Sequence, residues 1–154
     1  MSYIENHKKF VAVANKKATV VEIMNGLAHC FIGLAGSSTP EAVTAMELLD
    51  YRFVDDSLVA RLSTYPVVIL QARNTSQLER LRQESLAAGV QCSSFVRTML
   101  GTSAEGQIAD TAALNSEAHD FIVVCLWGEA AVLDPMLKRF SCFKCETPQE
   151  VHVS

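Results

Sequence analysis

The sequence predicts a single α/β domain with three layers, in which helices cover both faces of a mixed, largely parallel sheet. Three short apolar runs, at residues 10–14, 66–72 and 121–127, have the length and composition of buried strands. Segments with helical spacing separate them, and this alternation favours right-handed crossovers onto one sheet. The 154 residues, 49% of them hydrophobic, can bury one core at about residues 8–140, followed by a short C-terminal tail.

The first strand and first helix are the clearest pair of elements. Residues 10–14 are flanked by lysines and are predicted to form a central strand that is buried on both faces. Thr19 is the expected N-cap of a helix over residues 20–34, which Gly36 ends. Apolar side chains at three- and four-residue steps give this helix a predicted buried stripe of Val20, Ile23, Met24, Leu27, Phe31 and Leu34.

A helical turn and a small hairpin are predicted next. Pro40 can occupy the first helical position of a short turn. Residues 46–53 and 58–62 are apolar enough to pair as strands, and Asp55-Asp56-Ser57 between them is typical of a turn.

Residues 66–72 are predicted to form a second strongly buried strand, which begins at a proline. In the helix that follows, Ser76 and Glu79 have the spacing of a capping box, and Gly89 has the position of a C-cap glycine.

In the rest of the chain, predicted strands again alternate with predicted helices. Residues 90–96 are predicted to form a strand, which a loop at 97–103 joins to a helix at 106–116. The third buried strand covers residues 121–127. Asp134 and Pro135 are then interpreted as the start of a short helix that runs to about residue 140.

Composition and charge argue against several classes of protein. No apolar run approaches the roughly 18 to 20 residues that span a bilayer, and no signal peptide follows the basic pair Lys8-Lys9. We therefore expect a cytoplasmic protein without a membrane partner. A net charge of −4 leaves no chain-wide basic surface for phosphate backbones, so nucleic acid is a disfavoured partner.

The cysteines and histidines predict no metal and no cofactor. Five scattered cysteines do not resemble a disulfide framework, and we expect reduced thiols. Cys142 and Cys145 form a C-x-x-C pair that could be half of a zinc site or a redox dithiol, but no second pair or nearby histidine completes it. We expect them to be semi-buried structural residues. Nucleotide-binding glycine motifs, serine-hydrolase elbows and zinc motifs are absent from the sequence.

A ligand site is expected beyond the carboxyl ends of the predicted strands. The residues that follow these strands form what we call the strand-end rim: Asn15, Lys16, Lys17, Arg73, Asn74, Arg97, Thr98, Gly128 and Glu129. Four cations against one carboxylate suit an anion, although the whole chain is acidic. The alternative is ordinary polar surface, because strand ends are polar in almost any such fold.

The first helix carries a second candidate feature. Glu22, Asn25 and His29 recur on the side opposite the apolar stripe, and Gly26 and Gly33 flank that side. A helical glycine costs about 1 kcal/mol relative to alanine, which suggests close packing there by a helix, a second subunit or a ligand. The alternative is a solvated face with a freely titrating histidine. The candidate ligand-binding residues are therefore Asn15, Lys17, Asn25, His29, Arg97 and Thr98.

Several of these segments resemble the family known as domain of unknown function 2000. The best marker is the N-x-x-x-H spacing of Asn25 and His29 in the helix after the first strand. Other matching segments are residues 9–17, Gly33-Leu34, Leu49-Asp50-Tyr51, residues 65–68, residues 98–101 and residues 133–140. Together they extend over nearly the whole chain.

That family is similar in fold to type II peptidyl-tRNA hydrolases, which also place a histidine late in the first helix and are commonly homodimers. The resemblance implies this fold and a homodimer. Where the hydrolases carry a lysine and an aspartate, this chain has Val20 with Glu22, and Arg97. Both charges are lost or reversed, which argues against the hydrolases' route.

Three hypotheses follow. The first is a protein that binds a small or anionic ligand at the strand ends beside the first helix. The second is a hydrolase of peptidyl- or aminoacyl-tRNA-like esters. The third is a non-catalytic homodimeric interaction protein whose subunits meet at the edge formed by Gly26 and Gly33.

Overall fold

The computed structural model describes residues 6–145, which form a five-stranded mixed sheet, a separate hairpin and five α-helices. The strands are β1 Lys8–Asn15, β2 Leu48–Arg52, β3 Leu58–Ser63, β4 Val67–Ala72, β5 Gln91–Val96, β6 Phe121–Glu129 and β7 Ser141–Cys142. The helices are α1 Val20–Gly36, α2 Pro40–Ala45, α3 Thr75–Ala87, α4 Ala104–Ala112 and α5 Ala130–Leu137, with short 3₁₀ turns at Arg97–Leu100 and Ser116–Ala118. Within this part of the chain, none of the helices is long and apolar enough to cross a bilayer.

The sheet has the order β5-β6-β1-β4-β7, and the relative directions of its strands differ from the prediction. Only β1 and β4 pair in parallel, whereas β6 is antiparallel to both β1 and β5. The sheet is mixed, as predicted, but "largely parallel" was wrong. The physical reason is that α4 packs mainly against the 3₁₀ turn after β5, so the chain returns into β6 without crossing a face of the sheet.

Strand direction decides which loops meet. Since β5 and β1 are both antiparallel to β6, the strands β1, β4 and β5 share one direction. Their trailing residues lie at one end of the sheet, where β6 begins. Glu129 at the end of β6 instead pairs with Lys8 at the start of β1. Gly128 and Glu129 therefore do not belong to the strand-end rim, contrary to the prediction.

Helices cover both faces of the sheet, as predicted. Val11 and Val13 of β1 pack in the cluster that contains α3 and α5 residues, whereas Ala12 and Ala14 pack in the cluster that contains α1 residues. Both β1 and β6 are buried on both faces, as their continuous apolar runs predicted.

Strand β4 is less buried than predicted. Leu70 and Ala72 are buried, but Val67 and Ile69 are exposed. Ile69 pairs with Ala12 and so faces the α1 side of the sheet, while α1 lies mainly over β5 and β6. The helix does not reach far enough to cover β4.

Helix α1 begins as predicted, with a capping box between Thr19 and Glu22, but its buried face is rotated. Its buried residues are Ile23, Gly26, Cys30 and Leu34, whereas Val20 and Met24 are exposed. Small residues therefore form much of the contact with the sheet, and an apolar stripe alone could not identify them.

Three other helix starts differ from the prediction. The N-cap of α3 is Asn74, whose side chain accepts a hydrogen bond from the Gln77 amide, and not Ser76. Helix α4 starts after the N-cap Ser103. Helix α5 follows β6 directly, so Pro135 lies inside it and Asp134 is not its cap. Gly89 has the positive φ of 69° expected just beyond α3.

The hairpin of β2 and β3 forms as predicted, around a turn in which the Asp55 carboxylate accepts a hydrogen bond from the Ser57 amide. It is not part of the main sheet.

Candidate functional site

A cavity of about 690 Å³, which we call the α1 cavity, lies between α1 and the edge strand β5. Its walls are Val21, Glu22, Asn25, His29 and Cys30 of α1, residues 93–95 of β5, and Met99, Leu100, Gly101 and Gln107. The order of strands explains its position, because β5 is the edge of the sheet and no other strand within residues 6–145 closes this side.

Asn25 and His29 project into this region from successive turns of α1. Both are exposed, and both line the α1 cavity. The His29 ring stacks on Phe95 of β5, with ring centroids 6.0 Å apart and an interplanar angle of 12°. An amide and an imidazole beside aromatic surface can recognise a small polar molecule through hydrogen bonds and stacking.

The segment that follows β5 supplies the opposite wall, which sequence reasoning missed. Met99 and Leu100 come from the 3₁₀ turn, Gly101 directly follows it, and Gln107 comes from α4. The Gln107 side chain donates a 2.6 Å hydrogen bond to the Gly101 carbonyl, which holds the two pieces together. The sequence signal for this wall was the family resemblance of residues 98–101.

A second, smaller cavity of about 220 Å³ lies at the strand ends and is named here the strand-end cavity. Its lining residues are Asn15, Lys17, Ala18, Asn74, Thr75, Arg97 and Asp120. It contains three of the candidates predicted from sequence, whereas Asn25 and His29 line the α1 cavity. The structure therefore divides the predicted site in two.

Asn15 is engaged by the fold. It is 4% exposed, its amide donates to the Phe121 carbonyl at 2.9 Å, and its side-chain oxygen accepts from the Lys17 amide at 3.0 Å. These bonds tie the end of β1 to the start of β6. Asn15 therefore has a structural role, and Lys17 is the exposed cation beside it.

Arg97 lies between the two cavities and is paired with two carboxylates. Its guanidinium approaches Glu22 at 2.9 Å and Asp120 at 2.7 Å. Hydrogen bonds from Arg97 and from the Thr19 backbone lower the pKa of Glu22, and the same two carboxylates raise the pKa of Arg97 further above its usual value. The Arg97 charge is thus balanced within the protein, and the predicted excess of free cations at the strand-end rim is reduced.

Thr98 lines neither cavity. Its hydroxyl lies 2.8 Å from the Thr111 hydroxyl of α4, so it joins the 3₁₀ turn to that helix. Thr98 supports the wall of the α1 cavity from behind.

Gly26 does not form an exposed edge. It is buried, and a Cβ atom there would lie 2.8 Å from Cδ1 of Phe95 in the same chain. The prediction that Gly26 marks a subunit contact was wrong, because the close neighbour is the chain's own strand β5.

The C-x-x-C pair is more exposed than predicted, since Cys142 and Cys145 both lie at the surface. Within residues 6–145, no group of three or more histidine, cysteine or carboxylate side chains could hold a metal ion.

Comparison with solved structures supports the fold. The protein of unknown function Atu0240 from Agrobacterium tumefaciens strain C58 superposes with a TM-score of 0.75 at 16% sequence identity, over 90% of this chain and 98% of the other. At that identity the similarity concerns the fold alone. A search of curated proteins found no match.

A family model matches residues 8–144, which include β1 to β7 and both cavities. It is described as "Protein of unknown function (DUF2000)". Because the match extends over most of the 154 residues, the chain belongs to the DUF2000 family.

Proposed function

We propose that the protein binds a small, uncharged polar molecule in the α1 cavity. The observation that carries the proposal is that Asn25 and His29, one helical turn apart, line the same cavity as Gln107 from a distant part of the chain. A volume of about 690 Å³ lies in the range of small-molecule sites, and a few convergent polar groups on apolar walls are typical of them.

The charges around the cavity favour a neutral ligand over an anion. No lysine or arginine is among its lining residues, and Glu22 contributes a carboxylate that already pairs with Arg97. An anion would gain no free cation there and would meet that carboxylate. The apolar side chains of Val21, Met99 and Leu100 suit the flat face of a heteroaromatic ring.

Matched pairs of probes test both the site and the preference for a neutral ligand. Nicotinamide and nicotinate, like uracil and orotate, differ mainly in one carboxylate. We expect the neutral member of each pair to raise the melting temperature more and to shift the backbone amide resonances of α1 and β5. Binding that is stronger for the anion, or absent for all four at about 10 mM, would contradict the proposal.

Single substitutions test whether the ligand binds in the α1 cavity. Asn25→Ala and His29→Ala each remove one polar group, and we expect either to weaken binding about fivefold, the value of one hydrogen bond. Ile32→Ala is the matched control, because Ile32 is exposed on the same helix and does not line the described cavities. Equal weakening by all three variants would show that the effect is not local.

Ester hydrolysis stays a prediction for the same cavity. The presence of His29 and Glu22 among its lining residues supports it, whereas the engagement of Arg97 with two carboxylates opposes it. Hydrolysis of N-acetyl-phenylalanyl-tRNA that is lost in His29→Ala and retained in Ile32→Ala would favour the enzyme.

Homodimer formation is a second candidate function, and the β2–β3 hairpin favours it. Leu49, Tyr51 and Leu62 are each about half exposed on one face, while Asp50 and Arg61 form an ion pair on the other. A two-stranded hairpin with an unpaired apolar face is only marginally stable in water. We propose that this face meets its equivalent in a second copy.

The oligomeric state tests this second candidate. We expect light scattering to report a dimer, and Leu62→Glu to produce a monomer by placing a charge in the apolar contact. Leu48→Glu is the control, since Leu48 is half exposed and lies with Asp50 on the opposite face of the hairpin. A wild-type protein that stays monomeric at high concentration would contradict the proposed homodimer.

A further inference from the structure

A third cavity lies on the opposite face of β5 from the α1 cavity. We name it the α3 cavity; it has a volume of about 490 Å³ and lies between α3, β5 and the segment from α4 to the start of β6. Side chains alternate along a strand, so Phe95 faces α1 while Val96 faces α3. The segment after β5 closes both cavities, and Ser93, Ser94 and Met99 line both of them.

Two polar atoms that line this cavity lack a regular hydrogen-bond partner in the described part of the chain, although the hydroxyl of one of them, Ser94, lies beside the Cys92 thiol. Ser94 Oγ and His119 Nδ1 are buried, and neither has a hydrogen-bond partner among residues 6–145. His119 is 9% exposed, and its Nε2 lies 3.0 Å from the Thr111 carbonyl. Since a carbonyl accepts, Nε2 carries the hydrogen and Nδ1 of the neutral ring is left as an acceptor. Buried polar groups without partners are unfavourable, and His119 lines this cavity but not the α1 cavity, so its free Nδ1 points to a ligand here.

The remaining walls define the chemistry of that ligand. Leu86, Val96, Leu114 and Phe121 are apolar residues that line it. Arg82 of α3 is the one charged group that lines the cavity, and it forms no ion pair with any residue in the described range. A molecule that fits has an apolar body and an anionic group for Arg82.

We propose that the α3 cavity is a second binding site, which takes a small carboxylic acid with an apolar body. The carboxylate pairs with the Arg82 guanidinium, and the body packs on Leu86, Leu114 and Phe121. A hydroxyl or amide on the ligand satisfies Ser94 and His119. This site differs from the α1 cavity in both position and preferred charge.

Phenylacetate and octanoate are suitable probes, and methyl phenylacetate, which has neither a charge nor an amide, is the neutral control. In a titration followed by amide resonances, we expect both acids to perturb residues around Leu114, His119 and Phe121, with little change near Asn25 and His29. Methyl phenylacetate should bind more weakly than phenylacetate, because it lacks the charge that pairs with Arg82.

Two variants on one helix test the role of Arg82. We expect Arg82→Gln to weaken phenylacetate about fivefold, while Arg80→Gln leaves it unchanged. Arg80 is exposed, pairs with Glu84 and does not line the cavity. Leu114→Trp, which fills the cavity from a partly exposed position, should abolish binding of both acids.

Three outcomes would overturn the proposal. They are no binding of either acid at about 10 mM, an affinity that Arg82→Gln does not change, and perturbations that map to the α1 cavity. His29→Ala separates the two sites, because it should weaken ligands of the α1 cavity and leave phenylacetate binding unchanged.

Discussion

Gly26 and Gly33 lie on the same helix and have opposite surroundings. A Cβ on Gly26 would lie 2.8 Å from Cδ1 of Phe95 and 3.1 Å from Cγ1 of Val123. A Cβ on Gly33 would meet only the Ser93 hydroxyl, at an ordinary 3.8 Å. Close packing therefore requires the first glycine and not the second.

Alanine at these two positions should have opposite effects on stability. We expect Gly26→Ala to lower the free energy of unfolding by about 1–2 kcal/mol, because overpacking against the body of the Phe95 ring outweighs the gain in helix propensity. Gly33→Ala should raise it by about 0.5–1 kcal/mol through propensity alone. Urea denaturation measures both, and a Gly26→Ala protein as stable as the wild type would refute the packing argument.

Glu22 makes stability depend on pH in acid. Its pKa in the folded protein lies below the ordinary value of 4.5, chiefly because of Arg97. A lowered pKa contributes stability above the unfolded value, and this contribution is lost as the pH falls through the folded value. We expect wild type to melt above Glu22→Gln at pH 7 and the difference to shrink as the pH falls through the lowered pKa of Glu22.

Glu41→Gln is the control for this pH dependence. Glu41 is exposed and makes no ion pair or hydrogen bond with side chains in the described range. The difference between wild type and this variant should stay small throughout. A Glu22→Gln difference that persists at low pH would show that the carboxylate charge is not its source.

At the scale of elements, the contribution of an N-cap to the stability of the protein should depend on how many residues its helix buries. Thr19 and Thr39 are both N-caps whose hydroxyls accept from the backbone three residues on. Helix α1 contributes four buried residues and spans 17 residues, whereas α2 spans six and buries none. Fraying of α1 therefore disturbs the core, and fraying of α2 does not.

Removing each N-cap should show whether it stabilises the whole protein or only its own helix. We expect Thr19→Ala to lower the free energy of unfolding by about 1 kcal/mol, since a lost N-cap weakens a helix on which the core depends. Thr39→Ala should change it by less than about half that value. Chemical denaturation tests the pair, and equal losses would contradict the link to burial.

At the scale of the whole molecule, the centre of the sheet is β1. It pairs with β4 on one side and β6 on the other, and both of its faces are covered. The β2–β3 hairpin bonds only to itself within the described sheets. Local openings should therefore differ greatly in free energy across the molecule.

Hydrogen exchange should reveal this difference. We expect amides of β1 and β6 to exchange only through global unfolding, and those of β2 and β3 to exchange much faster in dilute protein. Hairpin protection that appears only at high concentration would support the homodimer. Hairpin amides as slow as those of β1 in a dilute monomer would contradict the assignment of β1 as the stable centre.

Many of the candidate site residues could be predicted from the sequence, but not which of them line the same cavity. The spacing of Asn25 and His29 placed them on one helix face, and both line the α1 cavity. Arg97 could not be recognised as paired, because its partners Glu22 and Asp120 come from other elements. Gln107 and the roles of Ser94 and His119 were missed for the same reason.

By itself, the sequence determined the elements whose signals are local: β1 and β6 from continuous apolar runs, α1 from its cap and periodicity, and the hairpin from its turn. The tertiary structure alone decided strand direction, the rotation of α1 onto Gly26 and the division of the predicted site into separate cavities. Residues close in sequence set backbone conformation, whereas contacts between distant segments depend on how whole elements pack. For this chain, function is to be sought where distant segments meet beside β5.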